Sequence, residues 1–221
     1  MNIEQARFNM IEQQIRPWDV LDAGVLELLG RVRREDFVPA AYRAMAFVDT
    51  EIPLAPAGKE GQAMLAPRLE ARLLQEAHVQ HHERVLEIGA GSGFMAALLA
   101  HRAQSVISLE KDAALADKAT ANLRHAGVLN ASVRQGDGTK GLAEEGPFDV
   151  IMLSGSVAEV PQALLDQLKV GGRLIAVVGG DPVMRAMRYT RLSATSIKTE
   201  SLFDTTAPRL AGFGEPSQFA F

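Results

Sequence analysis

The sequence predicts an α/β domain with a doubly wound, mostly parallel sheet, helices on both faces of the sheet and an N-terminal helical extension. The length of 221 residues suits one full-sized domain. From residue 84 onward, short β-rich apolar runs alternate with Ala- and Leu-rich helical segments, and the first run ends in a glycine-rich turn. Apolar strands that alternate with helices are typical of a parallel sheet buried on both faces, and right-handed crossovers make it doubly wound. We expect a single domain over 1–221, with helices and a loop in 1–67 and the α/β core in 68–221.

Composition excludes several classes of protein. The chain is 47% hydrophobic and 23% charged, which is typical of a globular protein. It has no cysteine, which excludes disulfides, thiolate metal sites and cysteine nucleophiles. A net charge of −4 argues against a nucleic-acid partner. No apolar run approaches the ~20 residues that span a bilayer, and charges interrupt the N-terminus where a signal peptide would be apolar. We therefore expect a cytoplasmic protein with no membrane partner.

Two helices are predicted in the N-terminal extension. Residues 1–16 place four apolar side chains roughly on one face of a helix: Ile3, Met10, Ile11 and Ile15. Pro17 follows the expected end of this helix. Asp22 is a suitable N-cap for a second helix that runs to about Arg33. We expect the first helix to dock on the core.

A Pro- and Gly-rich stretch then covers about residues 47–67 and precedes the predicted sheet. Five strands are expected after it, with the sequences "RVLEI", "SVISLE", "ASVRQGD", "FDVIML" and "GRLIAVV". Residues 190–203 are predicted to add further strand at the edge of the sheet.

The glycine turn "VLEIGAGSGF", residues 85–94, is the most specific local motif. The first strand should end at Ile88 and a helix should begin near Phe94. Three glycines stand between them: Gly89, Gly91 and Gly93. Glycine permits positive φ and lets a ligand approach the backbone, although a tight turn alone could also require it. A dinucleotide fingerprint needs a small residue at position 94, so Phe94 argues against such a cofactor.

Acidic residues accompany the turn at three successive strand ends. Glu87 stands two residues before the first glycine, Glu110 ends the second strand, and Asp137 follows the third. Glu110 lies near the ~20-residue offset at which an acid reaches a nucleotide ribose in such folds. One such acid is usually a solvated carboxylate, but three at the same edge indicate a ligand site. Three histidines at 78, 81 and 82 lie on a connector, and we expect no metal site.

The acid followed by G-x-G-x-G resembles the first motif of class I S-adenosylmethionine-dependent methyltransferases. From about Phe8 to Gly180 the chain resembles the protein-L-isoaspartate O-methyltransferase family. The likeness includes "NMIEQQIRP", "VRREDFVPAAYRAMAF", "GQAMLAP", "RVLEIGAGSGF", "GDG", "PFDVIMLSG" and "VPQALLDQLKVGGRL". The resemblance implies a Rossmann-like methyltransferase fold and S-adenosyl-L-methionine as cofactor, with Glu110 on the ribose and Asp137 on the adenine amino group. The cofactor residues that it implies are Glu87, Gly89, Ala90, Gly91, Gly93, Glu110, Lys111, Asp137 and Gly138.

One loop departs from the family pattern. The family's G-Q-T-I-S-x-P loop places Ser and Thr hydroxyls beside the substrate carboxylate and the transferred methyl. Here the frame of the loop is kept, but Ala63 replaces the Thr and Leu65 replaces the Ser. The candidates in this loop are therefore Gln62, Ala63 and Leu65, and no catalytic residue is assigned. The family's later F-V-P-L segment is replaced by "FDTTAPRL", residues 203–210.

Three functions remain open from the sequence. The first is methylation of a carboxylate on isoaspartyl residues of a protein or peptide. The second is methylation of a different, more apolar small-molecule acceptor. The third is cofactor binding without catalysis. Because a carboxylate is ionised at pH 7, the lost hydroxyls should slow the first reaction and not abolish it.

Overall fold

A computed structural model describes residues 2–55 and 62–214. The helices in these residues are α1 (Ile3–Met10), α2 (Ala23–Arg31), α3 (Pro67–Ala77), α4 (Phe94–Ala100), α5 (Ala113–His125) and α6 (Gln162–Leu165). The strands are β1 (Ile52–Pro53), β2 (Ala63–Met64), β3 (Arg84–Ile88), β4 (Ser105–Glu110), β5 (Ala131–Gln135), β6 (Phe148–Val157), β7 (Leu168–Gly180), β8 (Val183–Arg191) and β9 (Ile197–Thr205). Shorter 3₁₀ turns cover Arg16–Trp18, Arg34–Asp36, Ala40–Met45, Gly138–Lys140 and Ala143–Glu145.

Seven strands form one sheet in the order β5-β4-β3-β6-β7-β8-β9. All neighbouring strands from β5 to β7 in this order are parallel. β8 is antiparallel to both of its neighbours, β7 and β9. This confirms the predicted mostly parallel, doubly wound sheet. β4 and β5 lie on one side of β3, and the chain then crosses to place β6 on the other side of β3. Such a switch of direction creates a crevice at the carboxyl ends of the central strands.

The sheet has a buried apolar cluster on each face because its strands alternate. Val85 of β3 joins the cluster that also contains α3, α4 and the N-terminal extension, whereas Leu86 joins the cluster on the opposite face with Leu164 of α6. Side chains that alternate along a strand point to opposite faces of the sheet, so near-continuous apolar runs are needed to fill both clusters. In the described part of the chain, no helix is long and apolar enough to cross a membrane.

The first predicted helix is wrong in its details. α1 ends at Met10 and continues as a π-helical turn over Ile11–Ile15, so Pro17 lies inside the helical segment and not beyond it. Proline is tolerated at the start of a helical turn, where its missing N–H has no partner to lose. The segment ends at Asp19, whose φ of 58° is left-handed.

The other boundary predictions have mixed outcomes. Asp22 caps α2 by accepting from the Val25 N–H at 2.8 Å, as predicted. The helix ends at Arg31, two residues early, because Val32 is already extended with ψ of 117°. Residues 190–203 were predicted to add strand at the edge of the sheet, and they do so. They form part of the antiparallel hairpin of β8 and β9.

A buried arginine ties the N-terminal extension to the core. Arg34 is 1% exposed and pairs with the carboxylate of Glu70 on α3. Its guanidinium also donates to the carbonyls of Ala46 (3.1 Å) and Leu65 (2.8 Å) and lies 5.1 Å above the ring of Phe94. The extension, the 62–66 loop, α3 and α4 therefore meet at one cation.

Candidate functional site

A cleft opens at the carboxyl ends of the central strands. The strand ends contribute Ile88, Gly89, Gly91, Leu109, Glu110, Lys111, Asp112, Gly136, Gly138 and Ser154. Residues from outside the sheet close its other sides: Leu54, Gln62, Ala63, Leu210, Ala211 and Phe213. The predicted turn, one of the three predicted acidic strand ends (Glu110) and part of the substrate loop thus lie around one space, and the neighbours of Asp137 on both sides also line it.

The three motif glycines all have positive φ, but they differ in what they contact. Gly89 and Gly91, with φ of 91° and 53°, line the cleft. The N–H groups of Gly89 and Ala90 donate to the Leu109 carbonyl, which fixes the turn against β4. Gly93 instead precedes α4, and an added Cβ there would lie 3.1 Å from the Ala119 carbonyl of α5. Its role is therefore close packing of two helices.

Glu110 holds the turn and faces the cleft at the same time. One carboxylate oxygen accepts from the Gly91 N–H at 2.9 Å, and the other accepts from the Asp112 N–H at 3.0 Å. An ionised carboxylate has about four lone-pair positions, so two remain for a ligand. The side chain is 9% exposed, which leaves its free edge directed at the cleft.

Asp137 lies at the rim of the cleft, beside Lys111 and Gly138. It caps the 3₁₀ turn after β5 by accepting from the Thr139 N–H at 3.0 Å, and it accepts from the Lys111 ammonium at 3.1 Å. These bonds lower the pKa of Asp137 to about 2, and the bond from Thr139 has the largest effect. Asp137 is therefore ionised at the mouth of the cleft.

Glu87 is fully buried beneath the turn and does not line the cleft. Its carboxylate accepts from the hydroxyls of Ser108 (2.5 Å) and Ser154 (2.7 Å). Burial raises the pKa of Glu87 to about 7, while the two hydroxyls act in the opposite direction. Of these three residues only Ser154 reaches the cleft, so any influence of Glu87 on a ligand passes through that hydroxyl.

The substrate-loop residues take three different positions. Gln62 donates to Asp112 at 3.1 Å, while its buried Oε1 has no partner among the described residues. Ala63 lines the cleft, and β2 around it pairs with β1. Leu65 is 3% exposed and belongs to the apolar core, so it does not line the cleft. The predicted loop position Gly61 lies outside the described residues.

Several cleft residues were not predicted, and three of them, Leu210, Ala211 and Phe213, belong to a C-terminal strap, residues 207–213. The strap is fixed to β6 by two backbone bonds: from the Ser156 N–H to Pro208 O at 2.7 Å, and from the Leu210 N–H to Ser156 O at 2.9 Å. Leu210 then fills the hollow over the turn, because a Cβ added at Gly89 would lie 2.6 Å from its Cδ2. The sequence marked "FDTTAPRL" only as a departure from the family pattern. Nothing in its spacing predicted this contact.

Asp112, Leu54 and Ser154 were also missed as cleft residues. Asp112 caps α5 by accepting from the N–H groups of Ala114 and Leu115. Its position two residues after Glu110, at the start of a helix, was an available signal.

Comparison with known proteins agrees with the geometry. Residues 5–206 match the family model described as protein-L-isoaspartate(D-aspartate) O-methyltransferase. The chain is 40% identical over 207 residues to protein-L-isoaspartate O-methyltransferase 1 of Rhodopseudomonas palustris (strain HaA2), covering 93% of this chain and 83% of that protein. It is 42% identical over 173 residues to protein-L-isoaspartate O-methyltransferase of Methanoculleus marisnigri, covering 78% and 77% of the two chains.

Solved structures share the fold. A protein-L-isoaspartate O-methyltransferase superposes with a TM-score of 0.75 at 24% identity, covering 93% of this chain and 64% of that one. A putative protein-L-isoaspartate O-methyltransferase from Plasmodium falciparum, in complex with S-adenosyl-L-homocysteine, gives a TM-score of 0.74 at 21% identity and covers 95% and 98%. On the match of the family model and the identity to its relatives, this chain belongs to the protein-L-isoaspartate(D-aspartate) O-methyltransferase family.

Proposed function

We propose that this protein transfers a methyl group from S-adenosyl-L-methionine to the carboxylate of isoaspartyl residues in proteins or peptides. The observation that carries the proposal is the cleft in which Glu110 joins the glycine turn at the carboxyl ends of β3 and β4. Family membership over 5–206 supports the same reaction. A cytoplasmic location and a polypeptide substrate form part of this proposal.

The residues of the cleft fit the proposed cofactor. Glu110 keeps two free lone-pair positions, and a carboxylate accepts well from two adjacent ribose hydroxyls. Lys111, Asp137 and Gly138 would flank the adenine, while Gly89 and Gly91 let the amino-acid part approach the backbone. Ala90 and Gly93 would act by shaping the turn, and Glu87 by orienting Ser154. When bound, the cofactor supplies an electrophilic methyl group on a sulfonium.

The chain must orient the acceptor more than activate it. An Asp-like carboxylate titrates near ~3.9 and is already a nucleophile at pH 7, so no general base is required. The polar groups at the acceptor end are the Gln62 amide, which keeps one N–H besides its bond to Asp112, and the Ser154 hydroxyl, whose proton is donated to Glu87. They lie next to the apolar side chains of Leu54, Ala63 and Leu210. The apolar wall excludes water but offers the carboxylate few donors. The expected consequence is a slow reaction with a well-bound cofactor.

Replacing Glu110 by alanine should weaken S-adenosylmethionine binding by about 10–100-fold. The change removes the ribose acceptor, whose charged hydrogen bonds contribute about 1.5–3 kcal/mol, and it also releases the Gly91 N–H. Asp137→Ala should cost less than tenfold, because Asp137 lies half-exposed at the rim. Calorimetric titration of both variants measures the difference. Parent-like affinity in both would contradict the proposed placement of the cofactor.

The proposed reaction is tested with methyl-labelled cofactor and a pair of peptides that differ only in an isoaspartyl or an ordinary aspartyl residue. We expect base-labile label on the isoaspartyl peptide alone, and slower labelling by the Glu110→Ala variant when the cofactor is below saturation. Label on neither peptide, together with normal cofactor binding, would refute the reaction. Adding a small-molecule cell extract then tests the second candidate, a more apolar acceptor, which Ala63 and Leu210 at the acceptor end favour. Binding without any labelled product would indicate the third, a cofactor-binding protein without catalysis.

A further inference from the structure

A second groove, of about 690 Å³, lies next to the cleft. We call it the flanking groove. The N-terminal extension contributes Trp18, Asp49 and Glu51, the start of α3 contributes Arg68, and the outer strands contribute Arg185 and Asp204. Its volume is in the range of sites that accommodate a ligand group.

Three short chain segments connect the flanking groove to the cleft. Each has one end in each space: 51–54, 63–66 and 206–210. A chain spans at most about 3.6 Å per residue, so none of these segments separates the two spaces by more than about 14 Å. An extended polypeptide rises about 3.3 Å per residue. A residue three to five positions from one held in the cleft can therefore reach the flanking groove.

The charges of the flanking groove are mostly paired. Arg68 contacts Asp49 at 3.1 Å and lies 4.0 Å from the centre of the Trp18 ring, and Arg185 contacts Asp204 at 2.9 Å. Both arginines are thus neutralised by neighbours. Trp18 remains 47% exposed, which leaves part of the indole open to a ligand.

Glu51 is the exception. Among residues 2–55 and 62–214, no basic side chain lies within ion-pair distance of its carboxylate, and the nearby charge is the like charge of Asp181. Partial burial raises the pKa of Glu51, and Asp181 raises it further. Glu51 lines the groove, and Asp181 directly precedes the lining residue Pro182. With no cation paired to either carboxylate in the described part of the chain, this end of the groove is attractive to a positive group.

We infer that the flanking groove binds a lysine or arginine side chain of the substrate polypeptide, three to five residues from the residue held in the cleft. The alkyl stem would lie along Trp18 and the cationic head beside Glu51 and Asp181. A long basic side chain suits this combination, because its stem is apolar and its head is charged. The inference deepens the proposed function and rests on a polypeptide being the substrate.

The intrinsic fluorescence of the protein can report peptide binding, because Trp18 is the single tryptophan and lines the groove. Tryptophan-free isoaspartyl peptides are titrated into the protein while Trp18 fluorescence is followed. The series has lysine or glutamine at three, four or five positions from the isoaspartyl residue, on either side. We expect at least one lysine peptide to bind about three- to tenfold more tightly than its glutamine partner, less so at high salt.

Substitutions at the exposed Glu51 test the electrostatic part. Glu51→Gln should remove most of the preference for lysine, and Glu51→Lys should convert it into a preference for a peptide with glutamate at that position. Glu144→Gln is the matched control, since Glu144 is exposed in the turn that precedes β6 and is not part of the groove. It should leave the preference unchanged.

The possible results test the inference about the groove and the proposed reaction independently. Equal affinities for lysine and glutamine peptides, no binding of any peptide, or a lysine preference that survives in both Glu51 variants would each overturn the inference. A lysine-dependent fluorescence change with a peptide that is never methylated would support the groove and count against the proposed reaction. Methylation with no effect of lysine on KM or fluorescence would support the proposed reaction and overturn the inference about the groove.

Discussion

Replacing Arg34 by methionine is expected to lower the free energy of unfolding by about 3–5 kcal/mol at pH 8. The change leaves the carboxylate of Glu70 buried without its cation, and it takes the donor from the carbonyls of Ala46 and Leu65. Urea denaturation followed by circular dichroism measures the loss. Arg33→Met is the matched control, because Arg33 is 62% exposed and its partner Asp36 is partly exposed, while its buried partner Glu35 keeps a second ion pair, with Arg7. It should cost no more than about 1 kcal/mol.

The loss at Arg34 should depend on pH. Burial raises the pKa of Glu70 to about 7 even with Arg34 beside it, and removing the cation must raise this pKa further. A carboxyl with a raised native pKa binds more protons when folded, so its stability contribution falls as the pH rises above the unfolded value near 4.5. The variant should therefore lose less stability at pH 6 than at pH 8. The double change Arg34→Met with Glu70→Leu should recover most of the loss, and a single variant as stable as the parent at pH 8 would contradict this account.

Restoring the loop hydroxyls should raise turnover of an isoaspartyl peptide. Oriented donors contribute at most about 3–4 kcal/mol to a transition state, so Ala63→Thr with Leu65→Ser should give a gain of about ten- to a few-hundred-fold. Most of this gain should come from Ala63→Thr, because Leu65 does not line the cleft. The two positions differ in what the change costs. Ala63 lines the cleft, whereas Leu65 is in the core, so the serine should cost about 2–5 kcal/mol of stability through the lost burial. The comparison is of initial rates at saturating cofactor, at a temperature where both proteins are folded.

Two single variants distinguish the effect of an added hydroxyl on the rate from the effect of a core cavity on stability. Ala63→Thr alone should raise the rate with little change in stability. Leu65→Ala makes a similar cavity without a hydroxyl and should destabilise the protein with no gain in rate. Cofactor affinity should change little in either. If the double variant binds cofactor and stays inert, the acceptor is a different molecule, and the strap with Leu210 becomes the main determinant of specificity.

Much of the fold and part of the site could be predicted because local patterns determine them. The alternation of strands and helices specified the parallel sheet, and the glycine turn with Glu110 located the cleft at its edge. Spacing could not show which side of a loop a residue faces. Leu65 and Glu87 were both assigned to the site and are both buried beneath it. The contact between Leu210 and Gly89 joins distant parts of the chain, and no local pattern encodes it.

The strap also determines when the cleft is complete during protein synthesis. All strands of the parallel part have emerged once β7 ends at Gly180, but the wall over Gly89 needs residues 207–213. At 5–20 residues per second the ribosome takes roughly 2–7 s to extend the chain from Gly180 to the end of the strap. During that interval a nascent chain has its glycine turn and Glu110 but only an open surface at the acceptor end. A chain that stalls before Leu210 should therefore be unable to hold a substrate, and incomplete copies should not methylate their surroundings.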